Sequence, residues 1–177
     1  MANALLLNVA ELLRRPGSRR QIALRLPIAD LAAEGLSVVD ARVTAEATVV
    51  VDAELEALPD GVVVTGDFSA PWEAVCRRCL SLARGTLTPH VRELYRVAPK
   101  PDEDAFPLEN EQLDLAPLVA EALTLDLPLA PLCRPDCAGL CAVCGADLNE
   151  GDCGCDRTVS DPRGAALDQL RDQLGGG

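Results

Sequence analysis

From Arg42 to Leu55 the side chains alternate, with Val43, Ala45, Ala47, Val49, Val51, Ala53 and Leu55 on one parity and mostly polar residues, among them Arg42, Thr44, Glu46, Thr48, Asp52 and Glu54, on the other. A strand projects successive side chains to opposite faces, so this period predicts one half-buried strand. Leu58-Pro59-Asp60-Gly61 supplies turn residues, and the segment after it places Val62, Val64, Phe68, Trp72 and Ala74 on one face of a second strand. Two such runs joined by a short turn predict an antiparallel hairpin. Residues 80–97 read as a third strand, with Gly85 and Pro89 marking a bulge or an edge. Upstream, "VAELLRR" predicts a short helix stopped by Pro16-Gly17, and "RQIALRLPI" a further strand.

The stretch "APKPDEDAFPLENEQ" is acidic and holds Pro99, Pro101 and Pro107, which predicts a surface loop. Beyond it Leu115, Leu118, Val119, Ala122 and Leu123 recur at helical spacing, with Asp114 as N-cap, Pro117 in the first turn and Pro128 ending the run. This helix is expected to cover the apolar face of the sheet. "SDPRGAALDQLRDQL" predicts a C-terminal helix with Asp161 as N-cap, Pro162 at the first helical position and Leu167, Leu170 and Leu174 along one stripe. The expected fold class is α+β: an antiparallel β-sheet or partly open barrel packed by helices, with a C-terminal cysteine-rich zinc module. The corresponding division is a sheet domain with its covering helix over 1–132, the zinc module over 133–158, and a helix and tail over 159–177.

Composition narrows this picture. Apolar residues make up 49% of the chain, but they are chiefly Ala, Val and Leu, and the only aromatics are Phe68, Phe106, Trp72 and Tyr95. The core must be aliphatic, and few side chains are left for stacking on bases. "MANALLLNVAELLRR" is too short and too interrupted for a signal peptide, and no stretch approaches the roughly 20 apolar residues that span a bilayer. The expectation is a soluble, cytoplasmic chain with no membrane partner, in a compartment that keeps thiols reduced.

Eight cysteines in that setting point to metal. Cys76 and Cys79 lie in "CRRC", and Cys133, Cys137, Cys141, Cys144, Cys153 and Cys155 crowd into "CRPDCAGLCAVCGADLNEGDCGC". Structural zinc takes four ligands in a tetrahedron, and a C-x-x-C turn offers two thiolates to one ion. Gly145 follows "CAVC" where a turn around a metal is helped by the absence of a Cβ. "CGC" completes that site, which leaves Cys76, Cys79, Cys133 and Cys137 for a second one, although Cys137 and Cys141 are close enough in sequence to exchange roles. His90 reads as a partly exposed strand residue. Two zinc ions on eight thiolates take the formal charge from −12 to roughly −16, with Arg77, Arg78 and Arg134 placed to offset part of it. Four thiolates leave no open coordination position, so the sites are structural and no catalytic residue is expected.

The rival chemistry is redox, with Arg77 and Arg78 lowering the thiol pKa in "CRRC". A thioredoxin-type motif opens a helix after a strand, whereas this one lies between strands. A redox-responsive zinc protein, whose partner binding depends on thiol state, is the alternative function.

With 28 acidic against 16 basic residues, non-specific binding to a phosphate backbone is disfavoured and basic partners are favoured. Arg14, Arg15, Arg19 and Arg20 form a local basic cluster, which reads either as a solvated helix end or as a direct contact to RNA. Asp102, Glu103, Asp104, Glu109 and Glu111 put five carboxylates in the acidic loop, either as a contact for a basic protein or as a solubilising linker.

"CRRCL" after a strand hairpin, a helix ending in "LPLAPLC", the run "CRPDCAGLCAVCGADLN" with "CGC", and the terminal "DPRGAALDQL" together resemble the YceD family of large ribosomal RNA subunit accumulation proteins. The resemblance runs over about residues 40–174. It implies a bacterial, cytosolic, non-enzymatic factor supporting 23S rRNA accumulation and large-subunit assembly. Ribosomal proteins or the pre-50S particle are then the expected partners, with 23S rRNA contacted directly or indirectly. It also implies that the C-terminal cysteine set is accessory and the "CRRC" site more basic to the family.

Overall fold

The computed structural model describes residues 4–156, so the helix expected over 161–174 lies outside the described residues. In chain order the elements are β1 (Leu6–Asn8), α1 (Ala10–Leu13), β2 (Arg19–Pro27), a 3-10 turn (Ile28–Asp30), β3 (Leu36–Val38), β4 (Ala41–Val43), β5 (Thr48–Leu58), β6 (Gly61–Val75), β7 (Leu82–Leu87), β8 (His90–Arg96), β9 (Phe106–Pro107), β10 (Gln112–Asp114) and α2 (Ala116–Asp126). Among the described residues the fold is mainly antiparallel sheet with two α-helices, and β8 with β9 is the parallel pair.

The expected hairpin is β5 with β6, in register from Val50 opposite Ser69 to Leu58 opposite Gly61, so Pro59-Asp60 forms the loop. The 15-residue β6 organises the sheet. It pairs with β5 and β8 through its first half and with β7 from Ala70 to Val75, while β4 meets it at the single register position Arg42 opposite Glu73. β2 extends the sheet beyond β5, and β3 extends it beyond β4. Among the described residues no ladder joins β2 to β3, so the pairing does not close.

Several expectations are corrected by this pairing. The alternating run from Arg42 to Leu55 is two strands, broken where the Ala47 N–H donates to the Thr44 carbonyl at 3.0 Å. Odd-numbered residues stay buried on both sides of the break, which is why a period of two could not reveal it. The third strand is likewise β7 and β8, separated at Thr88-Pro89, and both pair with β6. Gly85 marks an edge and not a bulge: among the described residues β7 pairs with β6 alone, and Gly85 stands opposite Trp72, where a Cβ would lie within 2.9 Å of the indole carbons. The acidic segment is not plain loop, because β9 pairs with β8 and β10 with β1, and Leu108 is buried between them in sequence. Leu115, not Asp114, is the N-cap of α2, but the Asp114 carboxylate accepts from the Ala116 N–H at 3.0 Å and satisfies a first-turn donor.

Among the described residues the core is wholly apolar and mostly aliphatic. Phe68 and Tyr95 are its two aromatics, and Tyr95 passes its hydroxyl hydrogen to the Asp114 carbonyl at 3.0 Å. α2 lays Leu118, Val119 and Leu123 onto this core. A second, smaller cluster joins Cys76, Cys79, Ala83 and Cys137, with Trp72 packed against both clusters. The indole therefore links the sheet to the thiols.

Candidate metal centre

The two C-x-x-C turns share one construction. At the end of β6 the Cys76 N–H donates to the Ser81 carbonyl at 2.8 Å and the Leu80 N–H to the Cys76 carbonyl at 3.0 Å. In the second turn the Cys141 N–H donates to the Ala146 carbonyl and the Gly145 N–H to the Cys141 carbonyl, both at 2.8 Å. The residue after the second cysteine takes a left-handed φ in each, +61° at Leu80 and +76° at Gly145. Gly145 adopts this freely, whereas Leu80 pays a conformational cost for its Cβ. Superimposing the two motifs residue by residue would have exposed Leu80 in the sequence.

Each turn is completed by two more thiols. The Sγ atoms of Cys76, Cys79, Cys133 and Cys137 lie within 4.8 Å of one another, as do those of Cys141, Cys144, Cys153 and Cys155. Cys76 and Cys137 are 3.8 Å apart, and Cys79 and Cys133 are 3.5 Å apart. A tetrahedron with metal–sulfur bonds of about 2.3 Å sets its sulfurs about 3.8 Å apart. All eight cysteines are free thiols, so the spacing is not that of disulfides. The donor set and spacing fit two tetrahedral ions, and Cys137 and Cys141 do not exchange roles.

Within each set the thiols are made unequal by the backbone. The Cys76 thiol is lowered to about 6, chiefly by the backbone N–H of Cys79, and Cys141 is lowered to about 6 by the N–H groups of Cys144 and Val143. Cys79 is also lowered, first by the Ser81 hydroxyl, which sits 2.9 Å from its sulfur. Cys133 and Cys155 are pushed up to about 12, mainly by sharing hydrogen bonds with Cys79 and Cys144 respectively, which hold the proton on them, and Cys153 moves in the same direction. The first cysteine of each C-x-x-C turn is thus the ready thiolate donor.

The "CRRC" arginines stitch the segments together through carbonyls, and the Arg78 backbone N–H also helps to lower the Cys76 thiol. The Arg77 N–H donates to the Pro131 carbonyl at 3.0 Å, and the Arg78 guanidinium to the Cys137 carbonyl at 2.8 Å. The Arg78 carbonyl in turn accepts from the Leu140 N–H at 3.1 Å. Asn149, which no spacing rule singles out, ties the turn after Cys144 to the first set. Its Nδ2 donates toward Cys137 Sγ at 3.5 Å and to Asp147 at 2.6 Å, while its Oδ1 accepts from the Ala138 N–H and from Arg134, both at 2.8 Å. Arg134 is thereby committed to Asn149 and Asp136.

The other candidate residues lie elsewhere. His90 is exposed and contacts Asp67 at 2.8 Å. Asp102, Asp104, Glu109 and Glu111 are exposed. Glu103 is half-buried against Arg96 at 2.9 Å, and the Lys100 N–H and that guanidinium lower its pKa. In the N-terminal cluster Arg19 is paired with Glu54 and Glu56, and Arg20 donates to the Asn8 carbonyl. No helix among the described residues is long and apolar enough to cross a membrane.

A mainly antiparallel sheet carrying paired four-thiol centres on matching C-x-x-C turns defines a cysteine-turn scaffold with sites suited to structural metal. The family described as large ribosomal RNA subunit accumulation protein YceD matches residues 64–171, and the chain belongs to it. The protein named uncharacterized protein Rv2926c from Mycobacterium tuberculosis is 31% identical over 176 residues, covering 96% of this chain and 83% of that protein. Uncharacterized protein ML1660 of Mycobacterium leprae is 34% identical over 147 residues, covering 80% of this chain and 66% of its own length. The chloroplastic large ribosomal RNA subunit accumulation protein YCED homolog 1 of Arabidopsis thaliana is 32% identical over 73 residues, 41% of this chain and 23% of that protein. No solved structure matches the chain.

Proposed function

We propose that this protein is a non-enzymatic ribosome-biogenesis factor that supports 23S rRNA accumulation in the bacterial cytoplasm as a zinc-stabilised docking module. Family membership carries the ribosomal part of this reading. The two four-thiol sets support zinc, since all-sulfur tetrahedral sites select zinc or iron and a closed thiolate shell suits a structural ion. The partition of the chain follows: the sheet and its helix over 1–132 form the platform, 133–158 the zinc module, and 159–177 an appended segment.

Because the first set takes Cys76 and Cys79 from the sheet and Cys133 and Cys137 from the module, one ion would clamp the module to the sheet. The acidic balance of 28 to 16 favours a basic ribosomal protein as the immediate partner. Asp102, Asp104, Glu109 and Glu111 offer exposed carboxylates for it, while Glu103 secures the loop through Arg96. The test is co-sedimentation of the zinc-loaded chain with large-subunit precursors, with crosslinks scored separately to protein and RNA. Crosslinks to ribosomal proteins support the reading, and their absence from precursor fractions overturns it.

The redox alternative has one observation in its favour. Cys76 and Cys141 are both lowered to about 6, which makes them the thiolates peroxide would attack first: two thiolates would be oxidised to a disulfide, the peroxide reduced to water, and the ion released. Reversible zinc release by low peroxide, accompanied by loss of precursor binding, would favour it.

A further inference from the structure

A cleft of about 640 Å³ opens between the β3–β4 hairpin and the end of β6, next to the first cysteine turn. It exists because β4 and β6 share one register position, Arg42 opposite Glu73, and diverge beyond it. Val38 pairs with Ala41, so Val39-Asp40 is a two-residue hairpin tip. Val39 there takes φ +55°. A left-handed first position in such a tip is glycine's place, and a β-branched residue in it is strained. The strained side chain is 80% exposed, so no packing within the described residues offsets its cost. Val75 and Leu82, 47% and 51% exposed, face the same cleft.

The rim is acidic. Glu34, Asp40 and Glu46 line the cleft and make no ion pair among the described residues. Arg42 is already matched by Glu73 at 2.6 Å. Strained residues held in place by the surrounding fold cluster at ligand clamps, and exposed aliphatic side chains beside uncompensated carboxylates specify the ligand's character and charge. We infer that this cleft is the docking site for an extended basic segment of a protein partner, with aliphatic side chains on Val39, Val75 and Leu82 and Lys or Arg on the acidic rim. The shape follows from diverging strand edges, which accept an extended chain. RNA and a second copy of this acidic rim are both repelled. Residues 157–177 hold three arginines and three aspartates, so the chain's own tail brings no net complementary charge. The inference rests on the docking reading above for the partner's class and adds to it a second contact, outside the 102–111 loop.

The experiment uses the full zinc-loaded chain and a blocked octapeptide of alternating Lys and Val, with a Glu–Val octapeptide and a short RNA oligonucleotide as competitors. The Lys–Val peptide binds, the Glu–Val peptide does not, and affinity falls as salt rises. Val39→Gly weakens binding about tenfold while raising the melting temperature, because it removes both the contact and the strain. The triple substitution Glu34→Gln, Asp40→Asn and Glu46→Gln also weakens it about tenfold and flattens the salt dependence. Neutralising Asp52, Asp67 and Glu121, exposed carboxylates outside the cleft, removes as much charge yet leaves peptide affinity unchanged. Equal affinity for wild type and Val39→Gly overturns the inference. So do preferential binding of the RNA, a dimer that the rim substitutions dissolve, or no peptide binding to the full chain. If the peptide binds as described but precursor particles are not captured, the ribosomal reading fails and the cleft stands. If particles are captured equally by the rim variants, the cleft fails and the ribosomal reading stands.

Discussion

Cys76 and Cys137 are 61 positions apart in the chain, yet their sulfurs lie 3.8 Å from each other in the small cluster beneath Trp72. Neither belongs to a regular element: one follows the central strand β6 and the other lies in the segment after α2. An ion bound here would tie the sheet to the segment after α2, with measurable energetic consequences.

The chain is expected to carry two zinc ions when purified reduced and without chelator. Metal analysis should return about two per chain, one for each tetrahedral thiol set. Less than one, with eight thiols open to titration, would contradict this.

Breaking the two sites should have unequal effects. Cys79 and Cys133 close a loop of 54 positions, whereas Cys144 and Cys153 close one of about nine, a difference worth roughly 1–2 kcal/mol in chain entropy. Cys76→Ser or Cys79→Ser should therefore lower the melting temperature of the whole fold, and Cys153→Ser or Cys155→Ser mainly loosen residues after 140. Hydrogen exchange distinguishes the two; equal losses of protection in the sheet would argue against it.

Leu80 and Gly145 occupy equivalent left-handed positions, so reciprocal changes have opposite signs. Leu80 is 65% exposed and has little packing to lose, so Leu80→Gly should leave stability unchanged or raise it by up to about 1 kcal/mol. A Cβ at Gly145 meets nothing within 4 Å, so Gly145→Ala should cost about 1 kcal/mol from backbone strain alone. Urea denaturation of the loaded proteins reads both.

Asn149 bonds toward Cys137 of the first set from a hairpin that begins the second. Asn149→Ala should weaken metal binding about 10- to 100-fold at the first site, as loss of an outer-sphere partner does, without removing any ligand. Competition with a coloured chelator measures it. Unchanged affinity would make Asn149 a purely structural residue of the 140–149 hairpin.

The metal-free chain should have a stability maximum near pH 9. Cys76 and Cys141 are lowered from 9.0 to about 6, so the stability they give is complete above 9 and is lost as pH falls toward 6. Cys133 and Cys155 are raised from 9.0 to about 12, so theirs is complete below 9 and is lost as pH rises toward 12. Denaturation midpoints of the chelated, reduced chain between pH 6 and 11 check both limbs, and a flat profile refutes them.

What could be read in advance was whatever depends on neighbours in sequence. Alternation located β5 and β6, the residues Pro59-Asp60 fixed their turn, and helical spacing located α2. The spacing of the cysteines divided them into two sets of four, and the fold assembles those same two sets.

The break at Thr44–Ala47 was hidden because both strands keep the same buried parity across it. The short strands β9 and β10 were hidden because two or three residues carry no periodic signal, and pairing with β8 and β1 alone makes them strands. Asn149, Trp72 over Gly85, and the cleft beneath Val39 were decided by tertiary structure, since each depends on which distant segments meet. A sequence pattern records which face of an element is apolar and which residues sit in a turn. Which edges pair, and where two paired strands part, is settled only when the whole sheet packs, because those energies belong to contacts between segments that the local pattern cannot contain.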